Sequence, residues 1–424
     1  MLIEFSATNF RSLRETQTLS MAASGYFKEM EERNTFDTGM KRLPRLLRSA
    51  AIYGPNASGK SNLILALSFV RFMILSSAKK IQEGEEFNIT PFLLDHASKT
   101  KESEFELIFI EGDVRYQYGF ALNKKRVLRE WLIAYPEGRP QRWFDREYDS
   151  AAEQDNYEFG AKFLGGRLRQ DWKNATRGNA LFLSVAVQFN SEQLKPVFHW
   201  FQKRLRIIGS PIFLHPGYSL SVCETEEGKK RVVDFLNASD LSIADLGVDK
   251  KHISQDDLPE DVPNDMKEQI RKDKGKLEVI DLKFMHPNSE TGELIPINVE
   301  DESQGTKNLF AFAEPWLDVL GNDKILFVDE IDSSLHPLVV HQLVRLLHRS
   351  GSKAQLVFTT HDTTILSQDI MRRDQVWFIE KDKSNASTLY PLSDFKVREH
   401  EALEKGYLRG RYGAIPIVKE FIGV

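Results

Sequence analysis

The chain has 424 residues, of which 41% are hydrophobic and 28% are charged, and its net charge is −5 at pH 7. This composition is that of an ordinary globular protein, and the charge gives no overall attraction for nucleic acid or for an anionic membrane. The single cysteine, Cys223, excludes an internal disulfide and fits a reducing cytosol. We find no apolar run long enough to span a bilayer and no signal peptide, so we expect a cytoplasmic protein without a membrane partner.

The N-terminal part of the chain alternates between apolar and polar residues, which is typical of strands. Strands are predicted at Leu2–Asn9, Thr16–Met21, Phe105–Ile110, Val114–Leu122, Val127–Tyr135 and Gln141–Phe144. The turn Glu111-Gly112-Asp113 makes the third and fourth of these a hairpin, and the later strands extend it in antiparallel order. Residues 25–45 are polar and charged, and we expect a loop there.

Residues 54–61 read Gly-Pro-Asn-Ala-Ser-Gly-Lys-Ser, the pattern of a phosphate-binding loop. A short apolar strand precedes the loop, and an amphipathic helix from Asn62 to Met73 follows it. Glycine allows the tight turn, and the N–H groups of the loop and of the new helix would face an anion. We expect nucleotide contacts from Gly54, Asn56, Gly59 and Lys60, and Mg²⁺ ligation by the hydroxyl of Ser61.

Helical patterns dominate the middle of the chain, at Glu192–Ile207, Glu226–Leu236 and Pro263–Lys274, and predict a helical insertion. Before them, residues 160–180 are locally basic, with Lys162, Arg167, Arg169, Lys173 and Arg177. This stretch is either a solvated surface or a contact for a nucleotide, a nucleic acid or a partner.

Three features of the C-terminal part could complete a nucleotide site. Ser303-x-Gly305 precedes a predicted helix at Leu309–Leu320, where it is either an ordinary helix cap or an anion site. The apolar strand Ile325–Val328 delivers Asp329 and Glu330 at its carboxyl end, where open α/β sheets bind ligands. Asp329 would lie beside Mg²⁺, and Glu330 would hold the attacking water as general base. A later strand ends in His361, which could sense a terminal phosphate.

Together these motifs resemble the ABC-type ATPase head shared by the Rad50, SMC, RecF and OLD proteins. The resemblance makes Lys60 and Ser61 the Walker A motif, Asp329 the Walker B aspartate and Glu330 the catalytic glutamate. It also makes Ser303 and Gly305 the signature motif, His361 the switch histidine, and Arg11 in Asn9-Phe10-Arg11-Ser12 a nucleotide contact. It implies ATP and Mg²⁺ as cofactors. The signature departs from Leu-Ser-Gly-Gly, because it reads Glu-Ser-Gln-Gly.

The resemblance implies an α/β ABC-ATPase head, a mixed sheet with a phosphate-loop core and an antiparallel β subdomain, carrying the helical insertion. The expected parts are residues 1–150, with the loop and the β subdomain, 151–290, with the insertion, and 291–424, with the signature, Walker B and switch motifs.

A narrower resemblance is to the AAA15 (AbiLi/RloA-like) ATPases of prokaryotic defence loci. The pointers are Thr90-Pro91-Phe92-Leu93-Leu94, Leu181-Phe182-Leu183-Ser184 and the stretch from Tyr407 to Pro416. Such relatives accompany a separate effector, often a TOPRIM or RloB-like nuclease, as in the PARIS system.

The resemblance implies a homodimer, or a higher even-numbered oligomer, in which ATP is sandwiched between two copies. The first interpretation is an ATP-hydrolysing sensor and scaffold of anti-phage defence, triggered by a phage protein and controlling a toxic effector. The alternative is a DNA-repair or DNA-end-processing ATPase of the Rad50/RecF type, which would need a local patch for DNA. A nuclease and a transporter head are weaker alternatives.

Overall fold

The structure, a computed structural model, describes residues 1–211, 214–239, 241–254, 276–333, 335–397 and 402–416. The strands are β1 (Leu2–Thr8), β2 (Gln17–Ser20), β3 (Thr35–Met40), β4 (Leu43–Leu47), β5 (Ser49–Tyr53), β6 (Ser103–Glu111), β7 (Val114–Leu122), β8 (Val127–Tyr135), β9 (Gln141–Asp149), β10 (Gln154–Phe159), β11 (Leu205–Ile208), β12 (Asp245–Ser254), β13 (Lys276–Pro287), β14 (Leu294–Asn298), β15 (Ile325–Val328), β16 (Gln355–Thr359), β17 (Val376–Lys381) and β18 (Ser387–Pro391). The helices are α1 (Glu31–Asn34), α2 (Lys60–Lys80), α3 (Leu168–Ala175), α4 (Phe182–Gln188), α5 (Lys195–His199), α6 (Gly217–Val222), α7 (Glu226–Asn237), α8 (Gln304–Gly321), α9 (Pro337–Arg349) and α10 (Leu403–Leu408), with a π-helix at Trp200–Arg204.

A six-stranded sheet carries the predicted nucleotide motifs. Its order is β11-β15-β16-β5-β17-β18, and every neighbouring pair is parallel except β17 and β18. The adjacent strands β5, β15 and β16 are buried at every position, as expected inside a parallel sheet. Their carboxyl ends meet at one edge, which brings the loop after β5 close to Asp329 and His361.

A seven-stranded antiparallel sheet of order β10-β9-β8-β7-β6-β1-β2 forms the second layer of the head. It contains the predicted hairpin as β6 and β7, and the predicted later strands as β8 and β9. Aromatic rings of Phe10, Phe69 and Phe105 pack together under this sheet, with centroids 5.5–6.1 Å apart. The predicted α/β fold, a phosphate-loop core with an antiparallel β subdomain, is confirmed.

Helix α2 is longer than predicted and begins at Lys60 itself. By length and composition, this helix could cross a membrane. The expectation that no apolar stretch reaches the length of a membrane span is therefore wrong. Its Leu63, Leu67 and Val70 are fully buried in the hydrophobic core of the head. Its apolar composition is therefore explained by its packing against buried side chains of both sheets.

The prediction of a loop over residues 25–45 is wrong. This stretch contains α1 and the antiparallel pair β3–β4. Asn34, which is fully buried, donates hydrogen bonds from its amide to the carbonyl of Ile370 and to Oε1 of Gln375, both at 2.7 Å. Long-range contacts therefore order a segment whose own composition is polar, and local pattern does not reveal them.

The predicted helix Glu192–Ile207 is wrong over its last part. After α5 and the π-helix, Leu205–Ile208 forms β11, which pairs in parallel with β15. The apolar residues here have helical spacing, but they form the edge strand of the central sheet. Pairing with β15 therefore outweighs the local preference for a helix. The predicted helix Pro263–Lys274 lies outside the described residues.

The chain divides into two compact units. The first comprises residues 1–210, 319–332 and 343–424, and the second comprises 211–318 and 333–342. The second unit contains α6, α7 and an antiparallel sheet of order β12-β13-β14, so the inserted segment holds strands as well as helices. The predicted boundaries after residues 150 and 290 do not coincide with these units, because Trp172, Phe182 and Trp200 belong to the same buried core as Phe144.

Candidate nucleotide-binding site

The loop between β5 and α2 is in close contact with other segments of the chain. Gly59 has φ +110° and Ala57 has φ 60°, both in the left-handed region. A Cβ added at Gly59 would collide with the hydroxyl of Ser387 and would lie 2.7 Å from that of Ser12. A Cβ at Gly54 would collide with the carbonyl oxygen of Ile379. Gly54 is therefore required by the close approach of the Ile379 backbone, and Gly59 is favoured by its left-handed conformation.

Lys60, at the start of α2, is only 6% exposed. Its ammonium group donates hydrogen bonds to the carbonyl oxygens of Gly54, at 2.8 Å, and Pro55, at 3.2 Å. The pKa of Lys60 is lowered, because the effect of burial outweighs that of the carboxylates of Glu330, Asp329 and Asp332, which raise it. The loop therefore holds the Lys60 side chain against its own carbonyl oxygens, while Asn56 is exposed and Ser61 is half-buried.

Ser12 joins the N-terminal motif to the loop. Its hydroxyl accepts a hydrogen bond from the amide of Asn62, at 2.7 Å, and lies 2.7 Å from the hydroxyl of Ser387. Ser387 in turn donates to the carbonyl oxygen of Ser58, at 2.6 Å. Sequence reasoning did not select Ser12 or Ser387, although Ser12 lies in the Asn9–Ser12 motif that drew attention to Arg11.

Arg11 is exposed, and its guanidinium lies 5.8 Å from the ring centroid of Phe10. It lines a cavity of about 510 Å³ together with Leu65, Phe69 and Phe72 of α2. Within the described ranges, no hydrogen bond joins the Arg11 side chain to the phosphate loop. A nucleotide contact by Arg11 stays a prediction.

The carboxylates after β15 are held by the neighbouring strand β16. The Thr359 hydroxyl donates to Oδ1 of Asp329, at 2.6 Å, and accepts a hydrogen bond from the backbone N–H of Glu330, at 2.7 Å. Glu330 has φ 52°, in the left-handed region, and its side chain is exposed. One buried hydroxyl thus fixes both acidic residues, and no motif in the sequence identifies it.

His361 follows β16 at the same edge of the sheet. Its backbone N–H donates to Oδ2 of Asp332, at 3.1 Å. The pKa of His361 is lowered, because partial burial and the charge of Lys60 outweigh the carboxylates of Asp332, Glu330 and Asp329, which raise it. Asp332 Oδ1 is buried and has no hydrogen-bond partner among the described residues. The fold therefore gathers Lys60, Asp329, Glu330 and His361 at one edge of one unit.

Ser303 and Gly305 lie in the other compact unit. The Ser303 hydroxyl accepts a hydrogen bond from the backbone N–H of Thr306, at 3.1 Å, which is the geometry of a helix cap on α8. Both residues line a cavity of about 560 Å³ with His336 and Gln342. The cap explains the serine locally and leaves the first N–H groups of α8 at the cavity.

The oxygen donors near the loop suit Mg²⁺ that is bound partly by phosphates and water, rather than a metal ion whose ligands all come from the protein. In the part of the chain that the structure describes, no group of three or more His, Cys, Asp or Glu side chains is placed to hold a metal ion. Mg²⁺ in nucleotide sites usually takes one or two protein oxygens and completes its shell with phosphates and water. The Ser61 hydroxyl and the Asp329 carboxylate fit that donor set.

Comparison with known proteins places the chain in a family. The profile of the family described as "AAA domain, putative AbiEii toxin, Type IV TA system" matches residues 49–181 and 229–367, more than half of the chain. The chain belongs to this AAA-domain family. The matched residues include the phosphate loop, Ser303, Asp329, Glu330 and His361.

Two solved structures cover most of this chain. The SMC head domain from Thermotoga maritima is 13% identical, with a TM-score of 0.40, covering 92% of this chain and 98% of that one. An SmcHead structure bound to the C-winged helix domain of ScpA is also 13% identical, with a TM-score of 0.42, covering 92% and 97%. No curated protein sequence matches the chain significantly.

Proposed function

We propose that the chain binds and hydrolyses ATP with Mg²⁺ at the edge formed by the loop, Asp329, Glu330 and His361. The observation that carries the proposal is that Lys60, Glu330 and His361 follow the carboxyl ends of β5, β15 and β16, which are neighbouring parallel strands. Mg²⁺, when bound, would neutralise charge on the phosphates. Lys60 would bind the outer phosphates, and Ser61 and Asp329 would hold the metal.

Glu330 is the proposed general base. Its backbone is fixed by Thr359 and its side chain is exposed, so its carboxylate is free to orient a water and accept its proton. His361 would donate a hydrogen bond toward the terminal phosphate and report its presence. The anchoring of its N–H on Asp332 supports a fixed position for this histidine.

The proposed active form is a homodimer, or a higher even-numbered homo-oligomer, with ATP between copies. Ser303 and Gly305 of one copy would face the ATP held by Lys60 of the other, as in the ABC-type heads that the chain resembles. The position of both residues at the start of α8 supports this role, because N–H groups at a helix start attract phosphate. Hydrolysis through Glu330 would then release the dimer.

In the cell, the proposed role is that of a cytoplasmic sensor and scaffold in anti-phage defence. ATP-dependent dimerisation would hold a separate toxic effector, such as a TOPRIM or RloB-like nuclease, until a phage protein is detected. Support comes from the AAA15-like motifs and from a family description that names a putative toxin of a toxin–antitoxin system.

The test is a phage challenge of cells that carry this chain with its neighbouring genes. We expect Lys60→Ala to abolish protection, because the loop loses the charge that binds the outer phosphates. Lys80→Ala, which removes an exposed lysine at the other end of α2, is the matched control and should protect fully. Full protection by Lys60→Ala would contradict the role of ATP, and growth arrest by this chain alone would contradict a separate effector.

A further inference from the structure

A second cavity of the first unit has no residue in common with the phosphate loop or with the acidic residues after β15. Its volume is about 460 Å³, within the roughly 300–1,000 Å³ typical of small-molecule sites. Three turns form it: the β3–β4 turn at Gly39–Leu43, the β6–β7 turn at Asp113, and the β8–β9 turn at Glu137–Arg139.

Four cationic side chains line this cavity, which we call the three-turn cavity: Lys41, Arg42, Arg115 and Arg139. Across the described residues, none of the four forms a side-chain hydrogen bond, or an ion pair within 4.0 Å. Asp113 and Glu137 also line the cavity, so its formal charge is positive by two. In a chain whose net charge is −5, such a concentration of unpaired cations indicates an anionic ligand.

Arg115 is held in a fixed orientation. It is the cross-strand partner of Tyr135, and its guanidinium carbon lies 3.8 Å from the centroid of the tyrosine ring. The Tyr135 hydroxyl donates to Oε1 of Gln117, at 2.9 Å, which fixes the ring in turn. A guanidinium stacked by its face keeps its N–H edges available for two-point bonding to a phosphate.

In the other basic stretch, residues 160–180, three of the five cations make contacts within the unit. Arg169 lies 5.3 Å from the ring centroid of Phe163, and Lys173 lies 5.5 Å from that of Tyr157. Arg177 donates to the carbonyl oxygen of Ile81, at 2.7 Å. Among the described cations that line the three-turn cavity, only Arg115 contacts an aromatic ring.

We propose that the three-turn cavity binds a nucleoside phosphate. The four cations would bind the phosphate, and Asp113 and Glu137 can accept hydrogen bonds from the hydroxyl or amino groups of the nucleoside. Met40 and Leu43 supply apolar surface for a base. The same chemical group can come from a free nucleotide or from the end of a nucleic-acid strand.

The test uses the full-length protein with Lys60→Ala, which weakens nucleotide binding at the phosphate loop. Fluorescence anisotropy measures two probes separately, a fluorescent ATP analogue and a short 5′-phosphorylated DNA strand labelled at its 3′ end. We expect Arg42→Gln with Arg139→Gln to weaken at least one probe by about tenfold, because charge-assisted hydrogen bonds are lost. Weaker binding of the ATP analogue identifies a free nucleotide as the source, and weaker binding of the DNA alone identifies a strand end.

The matched control is Lys124→Gln with Lys125→Gln, which removes the same charge from exposed positions outside the cavity. It should leave both affinities unchanged, and thermal unfolding should show that both double variants remain folded. Equal affinities in the cavity variant and the control variant would overturn the proposal. So would the failure of both probes to bind to the Lys60→Ala protein.

Discussion

At the scale of single residues, Thr359 connects the two acidic residues of the site. Its buried hydroxyl donates to Asp329 and accepts from the N–H of Glu330. The contact arises because β15 and β16 are adjacent in the sheet, although the residues are thirty positions apart in the chain. Asp329 and Glu330 could be selected from the sequence by their place after an apolar strand, but Thr359 could not.

Replacing Thr359 by valine keeps the shape and removes the hydroxyl. We expect steady-state phosphate release from ATP to fall by about 10–100-fold, the usual effect of losing a residue that orients a metal ligand. The reduction should be in kcat, since the residues that bind phosphate are untouched. Thr359→Ser, which retains the hydroxyl, should keep most activity. Wild-type kcat in Thr359→Val would contradict this positioning role.

His348 is a buried histidine outside the nucleotide site. Its Nε2 lies 2.8 Å from the hydroxyl of Ser49, at the start of β5. Burial, with the charges of Arg33 and Arg48, lowers the pKa of His348 to about 3. The unfolded chain, with a histidine pKa near 6.5, therefore binds more protons than the folded chain between about pH 3 and 6.5. The free energy of unfolding should fall as pH falls below 6.5.

The contribution of His348 can be isolated by comparing variants. Between pH 6.5 and 5, the wild type should lose about 2 kcal/mol more stability than His348→Gln, at roughly 1.4 kcal/mol per pH unit. Urea unfolding at several pH values measures the difference. His96→Gln removes an exposed histidine and should keep the wild-type pH dependence. A parallel pH dependence in His348→Gln and the wild type would refute the assignment.

At the scale of elements, the buried ion pair of Glu130 and Arg146, at 3.8 Å, connects helix α4 to the antiparallel sheet. Glu130 of β8 accepts hydrogen bonds from the N–H groups of Phe182 and Leu183, at 2.6 and 2.9 Å, and so caps the start of α4. Arg146 of β9 is fully buried and donates to the carbonyl of Ala180, at 2.7 Å, and to Asp155, at 2.9 Å. The segment before α4 is therefore held by charges as well as by apolar packing.

Removing the buried arginine should destabilise the head strongly. Arg146→Ala leaves Glu130 buried without its cation, and the expected loss is about 3–5 kcal/mol in the free energy of unfolding. Arg142→Ala, on the same strand, breaks ion pairs of a side chain that is 53% exposed and should cost about 0–1 kcal/mol. Chemical denaturation measures both. Similar losses in the two variants would contradict the argument.

The elements that could be predicted were those with a strong local pattern. The strands β5 and β15 are short and apolar, and α2 follows a glycine loop, so composition alone defines them. The strands β3, β4 and β11 could not be predicted, because their order depends on partners distant in the chain. The cations of the three-turn cavity are separated in sequence for the same reason, since two different turns and strand β7 supply them.

At the scale of the whole molecule, the residues proposed to act on ATP lie in two different compact units. Lys60, Glu330 and His361 belong to the first unit, and Ser303 and Gly305 belong to the second. The sequence predicted each motif, but not the boundary, because residues 151–210 join the first unit through aromatic packing. A site completed by a second copy would couple ATP binding to assembly, which is what a sensor requires.

In the proposed dimer, ATP joins two copies of the chain and Glu330 promotes its hydrolysis. The most direct test measures the mass of Glu330→Gln in solution by light scattering, with and without ATP and Mg²⁺. We predict a mass of 48.8 kDa without nucleotide and twice that mass with ATP, because the dimer forms and cannot hydrolyse its ATP. Adding Lys60→Ala should restore the monomer. A monomeric Glu330→Gln protein with ATP bound, or wild-type ATP turnover in this variant, would contradict the claim.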